Sequence, residues 1–280
     1  MAIYTSIKAL LEGEIVAGSK IKNTLLEELL TEGLLVVIAH GCRKSYRARD
    51  VNTLKRYLID KDEKYRILEV DISGSRASLA SETGNSKLTT IRSCPGFPVN
   101  SYESIVCRLN GKDFVVNPQE GFFIFITEWN AFSIPEDITI IGIENMENFR
   151  MIRRQKAFFE GFLKAHGLSP KILFVSRYPQ STDLRTWLRN IPNHYLHFGD
   201  FDLAGIHIFL SEFRKHLEPN RTTFLIPEDI EERIKSGSRK RYDDHFMKYK
   251  NIFSEDKEIQ ALIDLIHKYG KGYDQEGYIP

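Results

Sequence analysis

The sequence lacks the features that mark a secreted or membrane-spanning protein. Only three of its 280 residues are cysteines, Cys42, Cys94 and Cys107, and no two of them form a CxxC pair. An odd, scattered set of thiols argues against a disulfide framework or a zinc knuckle and is typical of a reducing compartment. The opening residues, MAIYTSIKALLEGEIV, carry charges among apolar positions, unlike a signal peptide. No apolar run approaches the roughly 18 residues of a membrane helix, so we expect a cytoplasmic protein with no membrane partner.

Net charge, internal repeats and low-complexity tracts are also scarce. The formal charge is +1, because 39 Lys and Arg nearly balance 38 Asp and Glu. A surface for a polyanion must therefore come from local clustering of basic residues rather than from an overall excess. The lack of repeats excludes a solenoid architecture. The length and the 42% hydrophobic content instead suit one large globular domain or two ordinary ones.

The first third of the chain alternates short helices with short strands. Apolar spacing predicts a helix from Ser6 to Glu12 and a second helix capped by Ser19. Strands are predicted over 34–39 and 43–48, with a turn between them, and Asp50 should cap the next helix. Helix, helix and hairpin in this order are typical of a winged helix.

Positive charge is concentrated on the predicted hairpin. Its cations are Arg43, Lys44, Arg47 and Arg49, and Lys55 and Arg56 follow. Lys and Arg release condensed counterions when they meet phosphates, so this wing could contact nucleic acid. A solvated, charged hairpin accounts for the same residues equally well, and both interpretations stay open.

A second small unit is predicted over 71–126. Its elements are a helix at 75–88, a Pro/Gly loop at 93–100, a hairpin with strands at 104–109 and 113–117, and an apolar strand at 121–126. The hairpin is expected to turn at Asn110-Gly111, a pair that favours a type I′ turn. Arg76, Lys87 and Arg92 add positive charge to this unit.

After a predicted boundary at 127–137 the pattern changes to regular α/β alternation. Strands are predicted at 138–143, 171–176 and 194–200, and helices at 148–167, 181–191 and 203–217. Strands joined by helices of this length imply right-handed crossovers and a parallel sheet. The expected fold class of this part is therefore α/β.

Three acidic residues stand at the ends of these predicted strands. Glu144 directly follows the first strand, and Asp200 and Asp202 follow the third within the sequence GDFD. Ligands of open α/β sheets collect outside the carboxyl ends of the strands. Mg²⁺ prefers a few carboxylates together with water and phosphate oxygens, and such a site suits phosphoryl chemistry. A lone DxD is common on surfaces, but here it ends an apolar strand and precedes Gly205 and an apolar helix.

These residues also carry a family resemblance. The segments 140–149 (IIGIENMENF) and 197–209 (HFGDFDLAGIHIF) resemble the Toprim domain, whose pattern is a strand-end Glu and a later DxD. The surrounding residues look most like the Toprim domains of the topoisomerase VI A subunit and Spo11, and of the Wadjet defence nuclease subunit JetD. Asn145, Phe149 and the segment 274–279 (DQEGYI) look especially like the JetD type. The resemblance covers about 138–280.

The resemblance implies an organisation and an activity. It implies a winged-helix region over 1–130, of two units at 1–60 and 71–126, and a Toprim domain over 137–280. It implies Glu144, Asp200 and Asp202 as catalytic and metal-site residues, with Mg²⁺ or Mn²⁺ as cofactor and DNA as partner. It extends to Asn145, Gln275 and Glu276 as further site residues. SMC-type partner proteins follow from the resemblance alone; a homodimer and an RNA substrate stay open.

The topoisomerase VI-like and JetD-like interpretations differ in the nucleophile that they require. In the topoisomerase VI family it is a winged-helix tyrosine near an Arg-rich helix start, but the counterpart here, residues 75–80 (SRASLA), contains no tyrosine. Tyr46 and Tyr102 are the nearest tyrosines, and a phenol with a pKa of about 10 needs a neighbouring base or cation. We therefore expect hydrolysis by metal-activated water. A type IIB topoisomerase A-like subunit and a catalytically inactive DNA-binding module are the alternatives.

Other polar residues near the acidic ones have two interpretations each. His194, His197 and His207 could bind Zn²⁺ only if they converged, and polar or core roles are favoured. Arg177, at the end of the second strand, either holds a phosphate or packs a loop. The basic, aromatic run at 236–251 either contacts a nucleic-acid backbone or starts a solvated helix; its leading cations are Arg239, Lys240 and Arg241.

Overall fold

The computed structural model describes residues 2–41, 43–62, 65, 94–117 and 119–280. Contacts divide the chain into two compact units, Met1–Ser93 and Cys94–Pro280. In the described ranges, no helix combines the length and the apolar character needed to cross a bilayer. The helix predicted at 75–88 lies outside the described residues, and so do Cys42, Arg76, Lys87 and Arg92.

The first unit packs three helices with a three-stranded antiparallel sheet. Its elements are α1 (Ala2–Leu11), β1 (Val16–Ala17), α2 (Asn23–Thr31), β2 (Leu35–His40), β3 (Arg43–Ala48) and α3 (Val51–Lys61). The strand order is β1-β3-β2. Apolar side chains from all three helices, among them Leu10, Leu29 and Leu54, form its buried core. As predicted, Asp50 caps α3, because its carboxylate accepts a hydrogen bond from the Thr53 N–H.

The start of α2 differs from the prediction. Ser19 does not cap this helix, because Gly18–Lys20 form a separate 3₁₀ turn. Lys22 then has an extended backbone conformation, and α2 begins only at Asn23. The predicted apolar stripe is nevertheless present, since Leu25 and Leu29 are buried.

The second unit is built on a six-stranded, mostly parallel sheet. Its strands are β4 (Phe97–Ser101), β5 (Ile105–Leu109), β6 (Lys112–Val116), β7 (Ile124–Ile126), β8 (Phe132–Ser133), β9 (Thr139–Ile143), β10 (Ile172–Ser176), β11 (Tyr195–Phe198) and β12 (Thr222–Phe224). The large sheet has the order β12-β11-β9-β10-β4-β7, and β6-β5-β8 form a smaller one. β12, β11, β9 and β10 pair in parallel, whereas β4 pairs antiparallel with both of its neighbours, β10 and β7. The predicted α/β class is confirmed.

The first four helices of this unit overlap the segments that were predicted as helices, at 148–167, 181–191 and 203–217. The helices of the unit are α4 (Met146–Arg150), α5 (Lys156–Ala165), α6 (Thr182–Arg189), α7 (Leu203–Ile208), α8 (Ile230–Ser236), α9 (Arg239–Tyr249) and α10 (Lys257–Tyr269). A π-helical segment, Phe209–Arg214, continues α7. The single helix predicted at 148–167 is interrupted by a 3₁₀ segment, Ile152–Gln155. There the Gln155 side-chain amide donates to the Asn148 and Met151 carbonyls.

The boundary between the units also differs from the prediction. The contacts divide between Ser93 and Cys94 rather than at 127–137. The reason is that β4 and β7 extend the large sheet beyond β10, so residues 94–126 share its core. β4 lies in the predicted Pro/Gly loop. Pro98 cannot donate a hydrogen bond to the sheet, but the full burial of Phe97 and Val99 stabilises the strand by more than this missing bond costs. The predicted turn is confirmed, since Asn110 and Gly111 have φ of 52° and 75°.

Candidate metal and nucleic-acid site

The candidate site lies where the strand order of the large sheet reverses. The chain passes from β9 to β10 on one side and then returns to β11 on the other side of β9. Such a reversal opens a crevice at the carboxyl ends of the central strands. Glu144 directly follows β9, Arg177 follows β10, and Asp200 and Asp202 follow β11. The topology therefore brings the three predicted carboxylates and Arg177 to one edge of the sheet.

Asp202 is the most buried of the carboxylates, with 1% of its surface exposed. Its Oδ1 accepts a hydrogen bond from the Gly205 N–H at 2.7 Å and so caps α7. Its Oδ2 is buried without a hydrogen-bond partner among the described residues. Arg241 Nη1 lies 3.5 Å and His245 Nε2 3.7 Å from this oxygen. A side chain at Gly205 would overlap the Asp200 carbonyl, so this tight turn requires glycine.

The carboxyl group of Asp200 has a strongly shifted pKa. Its Oδ1 accepts from the Gln275 backbone N–H at 3.0 Å, and its Oδ2 lies 3.3 Å from Arg241 Nη2. Burial raises the pKa of Asp200 to about 7, and the negative charges of Asp202 and Glu144 act in the same direction. The Gln275 N–H and Arg241 oppose the shift without cancelling it. An added cation would relieve this electrostatic cost.

Glu144 is shared between an arginine and a buried histidine. Its Oε1 lies 3.2 Å from Arg177 Nη1, and Arg177 Nη2 in turn lies 3.5 Å from Glu212 Oε1. Its Oε2 faces His197 Nε2 at 3.6 Å. Within the described ranges neither of these two buried atoms has a hydrogen-bond partner.

A distant segment completes the edge. Phe201 and Tyr273 exchange backbone hydrogen bonds, which bring residues 274–276 against the GDFD turn. The Gln275 N–H then reaches Asp200, and the Asn145 side-chain amide donates to Glu276. Sequence reasoning included Asn145, Gln275 and Glu276, and all three lie at the site.

Two residues that hold this segment in place were not predicted from the sequence. Buried Asn148 fixes the segment, because its side-chain amide donates to the Gln275 carbonyl at 3.0 Å. Asp274 lies 2.6 Å from Arg241 Nε. The only sequence signal for either residue was its place beside a predicted site residue.

The chain has no match among protein-family models and none among curated proteins. The chemistry of the site therefore has to be inferred from its own residues. In the part of the chain that the structure describes, no three His, Cys, Asp or Glu side chains are grouped so as to hold a metal ion. The three predicted carboxylates are instead divided, since Asp200 and Asp202 share Arg241 while Glu144 contacts Arg177.

The donor chemistry of the site nevertheless fits a hard divalent cation. Glu144 Oε2 and Asp202 Oδ2 are buried carboxylate oxygens that no described group hydrogen-bonds. Buried charges of this kind are costly unless they are paired or coordinate a metal. Oxygen ligands of this class are those that Mg²⁺ and Mn²⁺ prefer. Arg241 lies within 3.5 Å of both aspartates, so it competes with a cation for them.

The predicted basic residues fall into two sets. Arg43, Lys44, Arg47 and Arg49 are exposed along and just beyond β3 of the first unit. In the second unit Arg177 and Arg241 contact the carboxylates directly, whereas Arg239 and Lys240 are exposed at the start of α9. Arg177 thus contacts a predicted site residue, Glu144.

The three histidines lie in different surroundings. His194 is exposed, His197 is buried at 1% exposure, and the His207 ring packs on Tyr249 with 4.6 Å between centroids. The expected polar or core role is confirmed for His197, but its contact with Glu144 was missed. The available signal was its position in the strand that leads into GDFD.

Tyr102 lies at the opposite end of the parallel strands. It follows Ser101, which pairs with Leu173 near the start of β10, and it lines a cavity of about 260 Å³ with Lys171 and Ile172. Its hydroxyl donates to the Ile152 carbonyl at 2.8 Å, and burial raises its pKa well above the ordinary value. Tyr46, the other candidate nucleophile, is a buried core residue of the first unit.

Proposed function

We propose that this protein is a Toprim-type, JetD-like nuclease that uses Mg²⁺ or Mn²⁺ to hydrolyse duplex DNA. The observation that carries the proposal is the placement of Glu144 and the Asp200–Asp202 pair. They follow two adjacent parallel strands, β9 and β11, at the reversal of strand order. The Toprim pattern in the sequence, a strand-end Glu followed by DxD, supports the same conclusion.

The residues of the site have separable roles in this proposal. Glu144, Asp200 and Asp202 would hold the cation, which when bound supplies charge stabilisation on phosphate oxygens and a reactive water. Arg177 and Arg241 are the cationic groups beside these carboxylates, and a guanidinium binds phosphate through two parallel hydrogen bonds. DNA entering the site would therefore compete with the carboxylates for Arg241. Asn145 and Gln275 would keep Glu276 and Asp200 in place.

The first unit is proposed as a winged-helix DNA-binding module. Its order of helix, short strand, helix and hairpin agrees with this assignment, as do the exposed cations of β3. Backbone contact by such a wing would position duplex DNA without reading its sequence. SMC-type partners belong to the proposal only through the family resemblance, and a homodimer stays open.

Transesterification by a topoisomerase VI-like mechanism is less well supported. Tyr102, the candidate nucleophile, has its hydroxyl engaged by the Ile152 carbonyl and lies away from the carboxylates. We expect Tyr102→Phe to retain metal-dependent cleavage, and wild type to form no covalent adduct with DNA. Denaturing gels of protein incubated with end-labelled duplex measure both. An adduct that disappears in Tyr102→Phe would instead favour the topoisomerase-like alternative.

The catalytically inactive alternative has one observation in its favour. Arg241 already contacts Asp200, Asp202 and Asp274, so a cationic side chain stands where a metal ion would bind the aspartates. This alternative predicts DNA binding that chelation leaves unchanged, and no cleavage with any divalent ion.

Plasmid cleavage separates these functions. Supercoiled plasmid is incubated with the wild-type protein, with Asp200→Asn and with Asp137→Asn, each in Mg²⁺, Mn²⁺ or EDTA. Asp137 is a matched control, because it is an exposed aspartate paired with Lys171, distant from the strand-end carboxylates. The proposal expects metal-dependent nicking or linearisation by wild type and Asp137→Asn, and its loss in Asp200→Asn. DNA binding without cleavage under every metal would reject the nuclease.

A further inference from the structure

Two side chains of β11 point toward the same side of the sheet as the Glu144 carboxylate. Tyr195 and His197 are two residues apart, so they project from the same face of the strand. The Tyr195 hydroxyl lies 3.0 Å from His197 Nδ1, and His197 Nε2 lies 3.6 Å from Glu144 Oε2. The three groups form a continuous polar line that ends at the site.

The surroundings of His197 leave it few other partners. Its ring packs against Phe209, Phe213 and Phe224, with centroid distances of 5.4, 4.9 and 5.7 Å. Tyr195 stacks on Phe213 at 5.1 Å. Because a buried polar ring in an apolar shell is costly unless hydrogen-bonded, this shell directs the imidazole toward Tyr195 and Glu144.

Two glycines provide the space that these side chains occupy. Gly142 pairs with His197 across the β9–β11 ladder, and any side chain there would overlap the Tyr195 hydroxyl. At Gly199 a Cβ would lie 2.7 Å from Glu144 Oε2 and 2.9 Å from His197 Nε2. Neither glycine has a positive φ, so the space, not the backbone conformation, accounts for glycine at these positions.

The geometry also indicates which nitrogen carries the proton. A carboxylate oxygen only accepts hydrogen bonds, so the atom that faces Glu144 Oε2 at 3.6 Å is favourable there as an N–H. In the neutral ring Nδ1 is then the acceptor, and the Tyr195 hydroxyl donates to it. Burial raises the pKa of Tyr195 well above its ordinary value, so the phenol keeps the proton that it donates.

We infer that Tyr195 and His197 form a buried polar relay that orients Glu144: the Tyr195 hydroxyl hydrogen-bonds His197 and so aims Nε2 at the carboxylate, with His197 as a positioning residue and Nε2–H as its tautomer. The inference rests on the proposed role of Glu144 in the metal site. His197 Nε2 faces Oε2 at 3.6 Å while Arg177 Nη1 lies 3.2 Å from Oε1, so cationic or N–H groups on two sides favour one orientation of the carboxylate. Partners of this kind set the orientation and basicity of the groups that bind a metal.

The tautomer can be tested without any activity. Long-range ¹H–¹⁵N NMR of the full-length protein reports which ring nitrogen is protonated, and His197→Gln identifies the signals of His197. We expect protonated Nε2 and an unprotonated, hydrogen-bonded Nδ1 in the wild type. Tyr195→Phe should shift the Nδ1 resonance, because it removes the donor. A wild-type ring that carries a proton on Nδ1 would overturn the relay, whether or not the protein is a nuclease.

The positioning role is tested by Mn²⁺ affinity, measured by titration calorimetry on the full-length protein. We expect His197→Ala to weaken Mn²⁺ binding by about 10–100-fold, the usual effect of losing such a partner. His197→Gln should recover much of the affinity, because its amide N–H can donate near the position of Nε2. His194→Gln is the matched control, since His194 is exposed in the same segment, and should bind Mn²⁺ like the wild type.

A role in packing alone gives a different pattern. It predicts that His197→Ala and His197→Gln lose stability in thermal unfolding while Mn²⁺ affinity stays at the wild-type value, and that result would overturn the inference. Where His197→Ala does not fold, the other two variants decide. Near wild-type Mn²⁺ binding by His197→Gln together with weakened Mn²⁺ binding by Tyr195→Phe supports the relay. A wild-type protein that binds no Mn²⁺ contradicts the proposed function instead, and the NMR measurement still decides the relay.

Discussion

At the scale of single residues, the ionised carboxylate of Asp200 is electrostatically unfavourable in the folded protein. Its carboxyl is buried beside two other acids, and its pKa of about 7 is far above the reference value of 3.8. One arginine and one backbone N–H oppose this shift only in part. A carboxylate placed in such surroundings reduces stability, which is a common sign of a residue kept for function.

The sign of this effect gives a pH-dependent prediction. Between pH 4 and 7 the folded protein binds more protons at Asp200 than the unfolded chain does, so the free energy of unfolding falls as the pH rises. Asp200→Asn removes this contribution. In EDTA we expect the variant to exceed wild type at pH 8 by on the order of 1–4 kcal/mol and to approach it near pH 4.

Urea denaturation at several pH values measures this difference. Asp137→Asn serves as the control and should show no gain at pH 8, because Lys171 lowers the pKa of Asp137 instead of raising it. Equal stabilities of wild type and Asp200→Asn across the pH range would show that Asp200 is not perturbed.

Gly199 gives a second prediction at this scale. An alanine there would press on Glu144 Oε2 and His197 Nε2, and we expect a loss of about 1–3 kcal/mol together with weaker Mn²⁺ binding. Gly161 is the control: it is exposed in α5 with no atom within 4 Å of an added Cβ, so Gly161→Ala should stabilise by up to about 1 kcal/mol. Thermal unfolding and calorimetry measure both, and an unaffected Gly199→Ala would contradict the crowding.

Sequence reasoning reached the carboxylates but not their partners. Glu144, Asp200 and Asp202 could be predicted because each follows an apolar run whose length and flanks indicate a strand. Arg241 was expected to bind phosphate, yet its contact with Asp200 joins residues 41 positions apart, and no local pattern encodes that pairing. The role of His197 depends on which face of β11 meets Glu144, and the sheet order decides this.

At the scale of elements, α9 is the helix that places an arginine beside the aspartates. It has no buried residue, and Ser238 caps its start by accepting from the Arg241 N–H. It brings two side chains to the acidic residues. The three nitrogens of Arg241 contact Asp200, Asp202 and Asp274, and His245 Nε2 lies 3.7 Å from Asp202 Oδ2. A surface helix attached in this way can release its arginine at little cost in core packing.

Substitution of this arginine should therefore separate metal binding from DNA binding. We expect Arg241→Gln to raise Mn²⁺ affinity in the absence of DNA, because a competing cation is removed, and to weaken DNA binding. Titration calorimetry and fluorescence anisotropy measure the two effects. Arg239→Gln, two positions earlier and paired with Asp243 in solvent, should leave Mn²⁺ affinity unchanged. Weaker Mn²⁺ binding by Arg241→Gln would mean that the arginine supports the cation.

The elements themselves were predicted where their apolar period is regular. β9, β10 and β11 were found to within two residues at either end, because each is a continuous buried run. β4 was taken for a loop because of Pro95 and Pro98. Its partners β7 and β10 lie on either side of it in the sheet, and only their pairing reveals that Phe97 and Val99 are core residues.

At the scale of the whole molecule, each unit has a hydrophobic core of its own. The core of the first unit runs from Ile7 to Tyr65, and that of the second from Phe97 to Tyr278. Such units are expected to fold independently. We therefore expect a fragment of residues 94–280 to fold cooperatively and to keep the Mn²⁺ affinity of the full chain, while its affinity for duplex DNA falls.

Circular dichroism, calorimetry and DNA-binding measurements on the fragment test this division. Full DNA affinity in the fragment would remove the proposed role of the first unit. Loss of cooperative unfolding would mean that the second unit depends on residues 1–93.

The pairing of Phe201 with Tyr273 has a consequence for how the protein is made. The Gln275 N–H that holds Asp200 lies 75 residues further along the chain. At a synthesis rate of about 5–20 residues per second, roughly 4–15 s pass between the translation of Asp200 and that of Gln275. The first unit can fold during this time, whereas the acidic edge cannot acquire its partners. Under the proposed function, DNA binding by the first unit would therefore precede the assembly of the cleavage site.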